Sequence, residues 1–181
     1  MLLEAATLDE LPAIAALVNG AYRGGAAMRG WTTESDYIDG QRTDPGTLRA
    51  DLERNPAARL LTLREAPGGP PLGCVWLEPA EADVWYLGML TVSPHLQDRR
   101  LGRGLLADAE QYAAGCGARR IRMTVVNIRA ELIAWYERRG YGLTSERLPF
   151  PYGEPLFGVP KRPDLEFVVL EKALGGPKPG V

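Results

Sequence analysis

The chain has 181 residues, of which 45% are hydrophobic and 24% are charged. This composition is typical of a globular domain, and it excludes a disordered chain, a collagen and a coiled coil. The formal net charge of −2 comes from 21 basic and 23 acidic residues, which excludes a protein that holds nucleic acid by general phosphate neutralisation. Any binding of anions must therefore depend on a local cluster of basic residues.

Residues that bind metals are scarce in this chain. Cys74, Cys116 and His95 are its only cysteines and histidine, and their spacing matches no zinc site, so we predict no metal and no disulfide. Residues 1–6 lack the basic and apolar regions of a signal peptide, and no run of about 18 apolar residues predicts a membrane span. We expect a cytoplasmic protein with no membrane or nucleic-acid partner.

Glycine and proline are concentrated at the C-terminal end. We interpret residues 1–174 as a single domain and residues 175–181 as a flexible tail.

The first half of the chain predicts four strands and two helices. After the strand Leu2–Ala5, the pattern Thr7-x-x-Glu10 caps a helix that continues to about Tyr22. The glycine-rich segment 24–44 is long for a connection, and long structured loops often carry binding residues. The remaining elements are a helix at 47–54 and strands at 59–65, 72–78 and Val84–Val92.

The second half alternates helices and strands. They are a helix at Leu101–Gly115, a strand at 121–126, a helix at 129–139, a strand from Tyr141 and a last strand at 166–171. Antiparallel strands followed by crossover units predict an α/β fold with a mixed, mostly antiparallel sheet of six to seven strands and helices on both faces.

A basic loop leads from the third strand of the meander into the helix Leu101–Gly115. Free N–H groups of a first helical turn, the positive end of the helix dipole and guanidinium groups together suit a pyrophosphate. The alternative is a solvated basic corner that holds no ligand. The loop residues concerned are Arg99, Arg100, Gly102, Arg103 and Gly104.

The spacing Gly102-x-Gly104-x-x-Ala107 also matches the dinucleotide fingerprint. That fingerprint belongs to a first βαβ unit whose second strand ends in an acidic residue. Here three or four strands come before the glycines and the following strand ends in Asn127, so this interpretation fails.

Four motifs occur in a fixed order between Leu87 and Tyr141. They are Val92-Ser93-Pro94 at a strand end, Gln97-Asp98-Arg99-Arg100-Leu101-Gly102 opening a helix, Asn127 at the next strand end, and Tyr136-Glu137-Arg138-Arg139-Gly140-Tyr141 closing the last helix. This set resembles the signature of the GNAT superfamily of N-acetyltransferases, and the resemblance implies the GNAT (acyl-CoA N-acyltransferase) fold.

The chain departs from that signature at two positions. Arg100 replaces the first glycine of the loop, and Asn127 lies two residues further from Tyr136 than in the commonest spacing. A phosphate site at this loop requires that Arg100 keep a negative φ or that its side chain contribute charge.

The resemblance implies acetyl-CoA as the cofactor and assigns residues to it. The backbone at Leu90, Thr91 and Val92 would pair with pantetheine, and Asn127 and Tyr136 would lie near its acetyl end. The pyrophosphate would lie on the loop, at Gln97, Asp98, Arg99, Arg100, Leu101, Gly102, Arg103 and Gly104.

Acetyl transfer to an amine needs a neutral nucleophile, a group that polarises the thioester carbonyl and a proton for the departing thiolate. Tyr136 is the candidate proton donor, because a phenol is protonated at neutral pH; packing beside Trp135 is its alternative role. The backbone N–H of Leu90 or of a neighbour would meet the oxyanion. Glu34 and Glu78 are the candidate catalytic bases, each otherwise a solvated carboxylate.

Four residues are candidates for binding the acceptor: Tyr22, Trp31, Glu34 and Arg42. An aromatic ring beside acids suits an amine, and an arginine suits a carboxylate. The alternative is that Trp31 anchors the loop to the core and that Arg42 pairs locally. The mixture favours a small-molecule amine that is amino-acid-like or polyamine-like, and residues 149–152 are a candidate lid.

We therefore predict an acetyl-CoA-dependent N-acetyltransferase that acts by direct attack of the amine. An acyl-enzyme through Cys74 or Cys116 is disfavoured because neither has a histidine partner. Two alternatives stay open: a non-catalytic acyl-CoA-binding regulatory module, and a protein N-terminal or lysine acetyltransferase. A homodimer stays open as the oligomeric state.

Overall fold

The computed structural model describes residues 1–24, 33–154 and 158–175, with the backbone alone at 97–99. Its helices are α1 (Leu11–Arg23), α2 (Pro45–Arg54), α3 (Leu101–Gly115) and α4 (Ala130–Glu137). Its strands are β1 (Leu2–Ala5), β2 (Ile38–Asp39), β3 (Arg59–Arg64), β4 (Gly73–Pro79), β5 (Val84–Val92), β6 (Arg120–Val126), β7 (Gly142–Pro149), β8 (Val159–Pro160) and β9 (Glu166–Ala173). The expected tail lies outside the described residues from position 176 onward.

Seven of the strands form one sheet in the order β1-β3-β4-β5-β6-β9-β7. The pair β5 and β6 is parallel, and the other neighbouring pairs are antiparallel. The predicted mixed, mostly antiparallel sheet is therefore confirmed. The sequence did not predict the two-stranded ribbon in which Ile38 of β2 lies opposite Pro160 of β8.

Helices cover both faces of this sheet, as predicted. Successive residues of a strand face opposite sides, and β3 illustrates the result: Leu60 packs in a core with α1 and α2, whereas Leu61 packs in a core with α3 and α4. Both leucines are 2% exposed. Each such buried side chain contributes about 1.5–3 kcal/mol relative to an exposed one.

The predicted cap before α1 is present. The Thr7 N–H donates to the Glu10 carboxylate at 2.8 Å, and the same carboxylate accepts from Arg64 Nη1 at 2.7 Å. A cap of this kind satisfies an N–H group that the first helical turn leaves open. It stabilises the start of α1, whose other end carries Tyr22 and Arg23.

The parallel pair β5 and β6 opens into a cleft. The two strands pair only at their beginnings, where Val84, Trp85 and Tyr86 lie opposite Arg120, Ile121 and Arg122. A bulge follows in β5, because the register with β4 shifts between Cys74 and Trp76 and Met89 has a φ of 52°. β5 stays paired with β4 beyond the bulge, whereas its pairing with β6 has ended, so the cleft opens between β5 and β6.

No helix among the described residues is long and apolar enough to cross a membrane.

Candidate active site

A cavity of about 550 Å³ occupies the opening between β5 and β6. Its walls also include the end of α1, part of α4, Leu148, and residues 149–151 from the expected lid 149–152. A volume of this size suits a small ligand. The lining side chains that carry chemistry are Tyr22, Arg23, Glu34, Arg42, Tyr86, Thr124, Arg129, Tyr136 and Glu154.

Tyr136 is placed in this cavity by α4. Its side chain is 5% exposed and packs edge-on against Trp135 and Tyr141, with ring centres 5.0 and 5.6 Å apart. Burial raises the pKa of Tyr136 well above the usual range of a phenol. The residue combines the two roles considered for it, since it is a packed aromatic and also a neutral hydroxyl in the cavity lining.

Glu34 lies between two arginines in the cavity wall. Its Oε2 accepts from Arg23 Nη1 at 2.6 Å, and its Oε1 lies 3.4 Å from Arg129 Nη1. The three side chains are only 7–9% exposed. The Glu34 N–H also donates to the Tyr22 carbonyl at 2.8 Å, which holds the carboxylate in place. We call Arg23, Glu34 and Arg129 the buried triad.

Tyr22 and Arg42 lie next to each other in the same wall. The Tyr22 hydroxyl donates to the Leu90 carbonyl at 3.4 Å, and burial raises the pKa of Tyr22 to about 12. The Arg42 guanidinium carbon lies 5.6 Å from the centre of the Tyr22 ring, within the range of a cation–π contact. For the alternative in which Arg42 pairs locally, no ion pair of Arg42 is found among the described residues.

The basic loop reaches α3 through a residue in an unfavourable conformation. Arg100 has φ 60° and ψ 13°, so the first of the two conditions for a phosphate site, a negative φ, is not met. The second condition, the charge of its exposed side chain, remains to support an anion. Its carbonyl accepts from the N–H groups of Arg103 and Gly104 at 3.1 and 3.2 Å. The N–H groups of Leu101 and Gly102 precede these helical bonds and are the donors that a helix start presents to an anion.

Two predicted site residues make other contacts instead of lining the cavity. Glu78 of β4 accepts a hydrogen bond from Asn55 Nδ2 at 2.8 Å. The Asn127 amide donates to the Asp164 carbonyl at 3.1 Å and accepts from the Glu166 N–H at 3.3 Å. Asn127 thus joins the end of β6 to the start of β9, and that use of both amide groups weakens its expected role at the cofactor.

Four of the predicted residues, Tyr22, Glu34, Arg42 and Tyr136, line the cavity together with Leu90. Thr91 and Val92 are buried further along β5. Trp31 lies outside the described residues, as do the side chains of Gln97, Asp98 and Arg99.

Sequence reasoning missed several polar residues of the lining. The Tyr86 hydroxyl lies 3.1 Å from Thr124 Oγ1, and this hydrogen bond spans the opening between β5 and β6. Tyr86 and Thr124 could have been predicted, because each is a polar side chain within a mostly apolar strand. Arg129 and Glu154 could not have been predicted, because their position depends on contacts between distant parts of the chain.

Comparison with known proteins identifies the family. The acetyltransferase (GNAT) family model matches residues 25–141, which is more than half of the chain. The chain belongs to the acetyltransferase (GNAT) family. The resemblance found in the sequence motifs is therefore confirmed, and no curated protein matches the sequence.

Three solved structures illustrate the likeness of fold. The ribosomal-protein-alanine N-acetyltransferase from Brucella melitensis has a TM-score of 0.69 at 19% identity, covering 96% of this chain and 100% of its own. The ribosomal-protein-S18-alanine N-acetyltransferase from Escherichia coli has a TM-score of 0.67 at 16% identity, and the match covers 99% of this chain and 97% of that enzyme. The yncA protein from Salmonella typhimurium, solved with its cofactor acetyl-CoA, has a TM-score of 0.65 at 19% identity, covering 96% and 94%. At these identities the likeness concerns the fold alone.

The GNAT family uses acetyl-CoA. The Ser93 N–H donates to the Leu72 carbonyl on the β4 side. Successive residues of a strand direct their N–H and C=O groups to opposite edges. Leu90 is three positions from Ser93, so its N–H and C=O groups face the opening, where an amide chain could form hydrogen bonds with them. Gly104 has no atom within 4 Å of the position of an added Cβ, so the backbone there is open to a ligand.

Among the described residues, no group of three or more histidine, cysteine, aspartate or glutamate side chains is arranged to hold a metal ion.

Proposed function

We propose that this GNAT family member is an acetyl-CoA-dependent N-acetyltransferase that acts on the amine of a small molecule by direct attack. The observation that carries the proposal is a neutral, buried phenol, Tyr136, in a cavity that opens where the parallel strands β5 and β6 separate. A cavity of about 550 Å³ suits a small acceptor better than a folded protein surface.

The residues that would hold the cofactor come from the start of α3 and from the edge of β5. The N–H groups of Leu101 and Gly102, with the guanidinium groups of Arg100 and Arg103, would bind its pyrophosphate. The Leu90 carbonyl, on the edge of β5, would accept a hydrogen bond from a pantetheine amide, which leaves the Leu90 N–H for the thioester. When bound, acetyl-CoA supplies an activated acetyl thioester.

Three groups of the chain would then serve the transfer. The Leu90 N–H would donate to the thioester oxygen as negative charge develops on it. Tyr136 would donate its hydroxyl proton to the departing sulfur, and its raised pKa keeps that proton in place at neutral pH. The cavity wall formed by the lid residues Pro149 and Phe150 would exclude water from the thioester.

We assign removal of the acceptor's proton to Glu154, acting directly or through one water. Of the two bases predicted from the sequence, Glu78 does not line the cavity, and both oxygens of Glu34 are engaged by arginines. Glu154 lines the cavity, is exposed, and makes no ion pair with another described residue. Its carboxylate is therefore available to an ammonium group. Glu34 instead holds the buried triad together.

Replacement of Tyr136 by phenylalanine tests the proposal. We expect kcat for release of free thiol in the presence of an amine to fall about 10²- to 10⁴-fold, with unchanged affinity for CoA in calorimetry. Tyr112→Phe on α3, outside the cavity, is the matched control. Full activity of Tyr136→Phe, or a parent protein that binds no CoA, would contradict the proposal. Glu154→Gln should lower kcat for thiol release and leave the affinity for CoA unchanged.

A further inference from the structure

We propose that the acceptor of this enzyme is an amine that also carries a carboxylate, as an amino acid does, and that Arg42 binds that carboxylate where two cavities meet. The inference rests on the proposed function and deepens it. It decides between the amino-acid-like and the polyamine-like acceptor that the sequence left open.

The second cavity has a volume of about 640 Å³ and lies between α2 and the strands β4 and β5. It shares four lining residues with the first cavity: Arg42, Tyr86, Gly88 and Met89. A Cβ at Gly88 would come within 2.8 Å of the Tyr86 ring, so the absence of a side chain lets that ring lie against the shared wall. An acceptor bound at Arg42 therefore adjoins both cavities.

Arg42 belongs to the described lining of both cavities. In the first cavity, Arg23 and Arg129 share Glu34. In the second, Arg54 pairs with Asp51 at 2.8 Å. Arg42 is half-buried and makes no ion pair with another described residue. A half-buried cation with no counter-charge among the described residues favours an anionic ligand.

The backbone at Arg42 is held rigidly by α1. Asn19 accepts from the N–H groups of Arg42 and Thr43 at 2.7 and 3.2 Å, and its amide donates to the Thr43 carbonyl at 2.8 Å. The ring of Tyr22 lies beneath the guanidinium group. A guanidinium held in this way retains its planar fork for two parallel bonds to a carboxylate, at a small cost in conformational entropy.

The second cavity would take the side chain of the amino acid. Trp76 and Met89 contribute apolar surface to its wall, and both belong to the partly buried rim of the core between the sheet and α1. With the carboxylate on Arg42, the amine points into the first cavity, which contains Tyr136. The geometry therefore favours amino acids with an apolar or aromatic side chain over polyamines.

Matched pairs of acceptors test this inference. We would compare phenylalanine, methionine and leucine with phenethylamine, 3-(methylthio)propylamine and isoamylamine, and include spermidine. We expect kcat/KM of at least one amino acid to exceed that of its decarboxylated amine by about 10- to 100-fold, the range for a charged hydrogen-bonded pair. In Arg42→Gln this ratio should fall to within about threefold of one. Arg49→Gln, exposed on α2 and outside both cavities, should keep the ratio of the parent.

The outcomes separate this inference from the proposed function. Turnover of amines with no preference for the carboxylate, or a preference that survives Arg42→Gln, would overturn the inference and leave the N-acetyltransferase intact. If no acceptor releases thiol, the proposed function fails, and calorimetric titration of the protein–CoA complex with the same pairs still decides whether Arg42 binds the carboxylate. Equal binding of both members of every pair would overturn it.

Discussion

Replacement of Glu34 by glutamine removes the carboxylate that the two guanidinium groups of the buried triad share. All three side chains are 7–9% exposed, so water cannot replace that carboxylate. Removal of one partner from a buried ion pair costs about 3–5 kcal/mol, which is a large part of the about 5–15 kcal/mol by which a domain is stable. For a domain of this size, each kcal/mol corresponds to about 2–4 °C, so the melting temperature should fall by about 6–20 °C.

The assay is thermal unfolding followed by circular dichroism, with thiol release measured at 20 °C on the same samples. Glu53→Gln, which removes an exposed carboxylate from α2, is the control and should change stability by less than about 0.5 kcal/mol. A Glu34→Gln protein that melts within 2 °C of the parent but has lost turnover about 10³-fold would refute the reasoning, because it would make Glu34 the base rather than the centre of the triad.

Three further predictions concern stability. Arg100→Gly should raise the free energy of unfolding by about 0.5–1 kcal/mol in urea titrations, because glycine adopts the φ of 60° without strain; a lower stability would contradict this. Gly73→Ala should lower the free energy of unfolding by about 1–3 kcal/mol, because the new Cβ would lie 2.7 Å from the Thr91 carbonyl. Gly104→Ala is the control and should not be destabilising, because its new Cβ would have no atom within 4 Å. Folding raises the pKa of Tyr22 to about 12, so the protonated phenol contributes about 2–3 kcal/mol to the free energy of unfolding. This contribution is complete below pH 10 and is lost as the pH rises through 12. Tyr22→Phe should show a smaller loss between pH 9 and 12, and an equal loss would show that Tyr22 does not titrate this way.

Local patterns predicted the helices and most strands well. The structure confirms α3 at Leu101–Gly115, and α1 extends the predicted end at Tyr22 by one residue. These elements have long apolar repeats and clear capping or glycine signals. The residues within and beside each element are therefore sufficient to predict it. The two-residue strands β2 and β8 are too short to show a period, and only their pairing across the chain defines them.

Parts of the site could not be read from the sequence for a related reason. Glu34 and Arg129 are 95 residues apart, and no local sequence pattern predicts that they form an ion pair. Glu78 is close in sequence to the cleft strand, yet the antiparallel pairing places it opposite Tyr86, where Asn55 binds it. Tyr136 was predictable because a motif of six consecutive residues surrounds it.

The position of β9 also has a consequence for how this protein is made. Residues 166–173 leave the ribosome after β6 and β7, yet they lie between these two strands in the sheet and contain the buried Val168, Val169 and Leu170. Until they emerge, β6 and β7 each carry an open hydrogen-bonding edge that invites pairing with other nascent chains. Completion of the sheet is therefore a late event in biosynthesis, and a stalled or shortened translation product that stops before residue 166 should aggregate instead of folding.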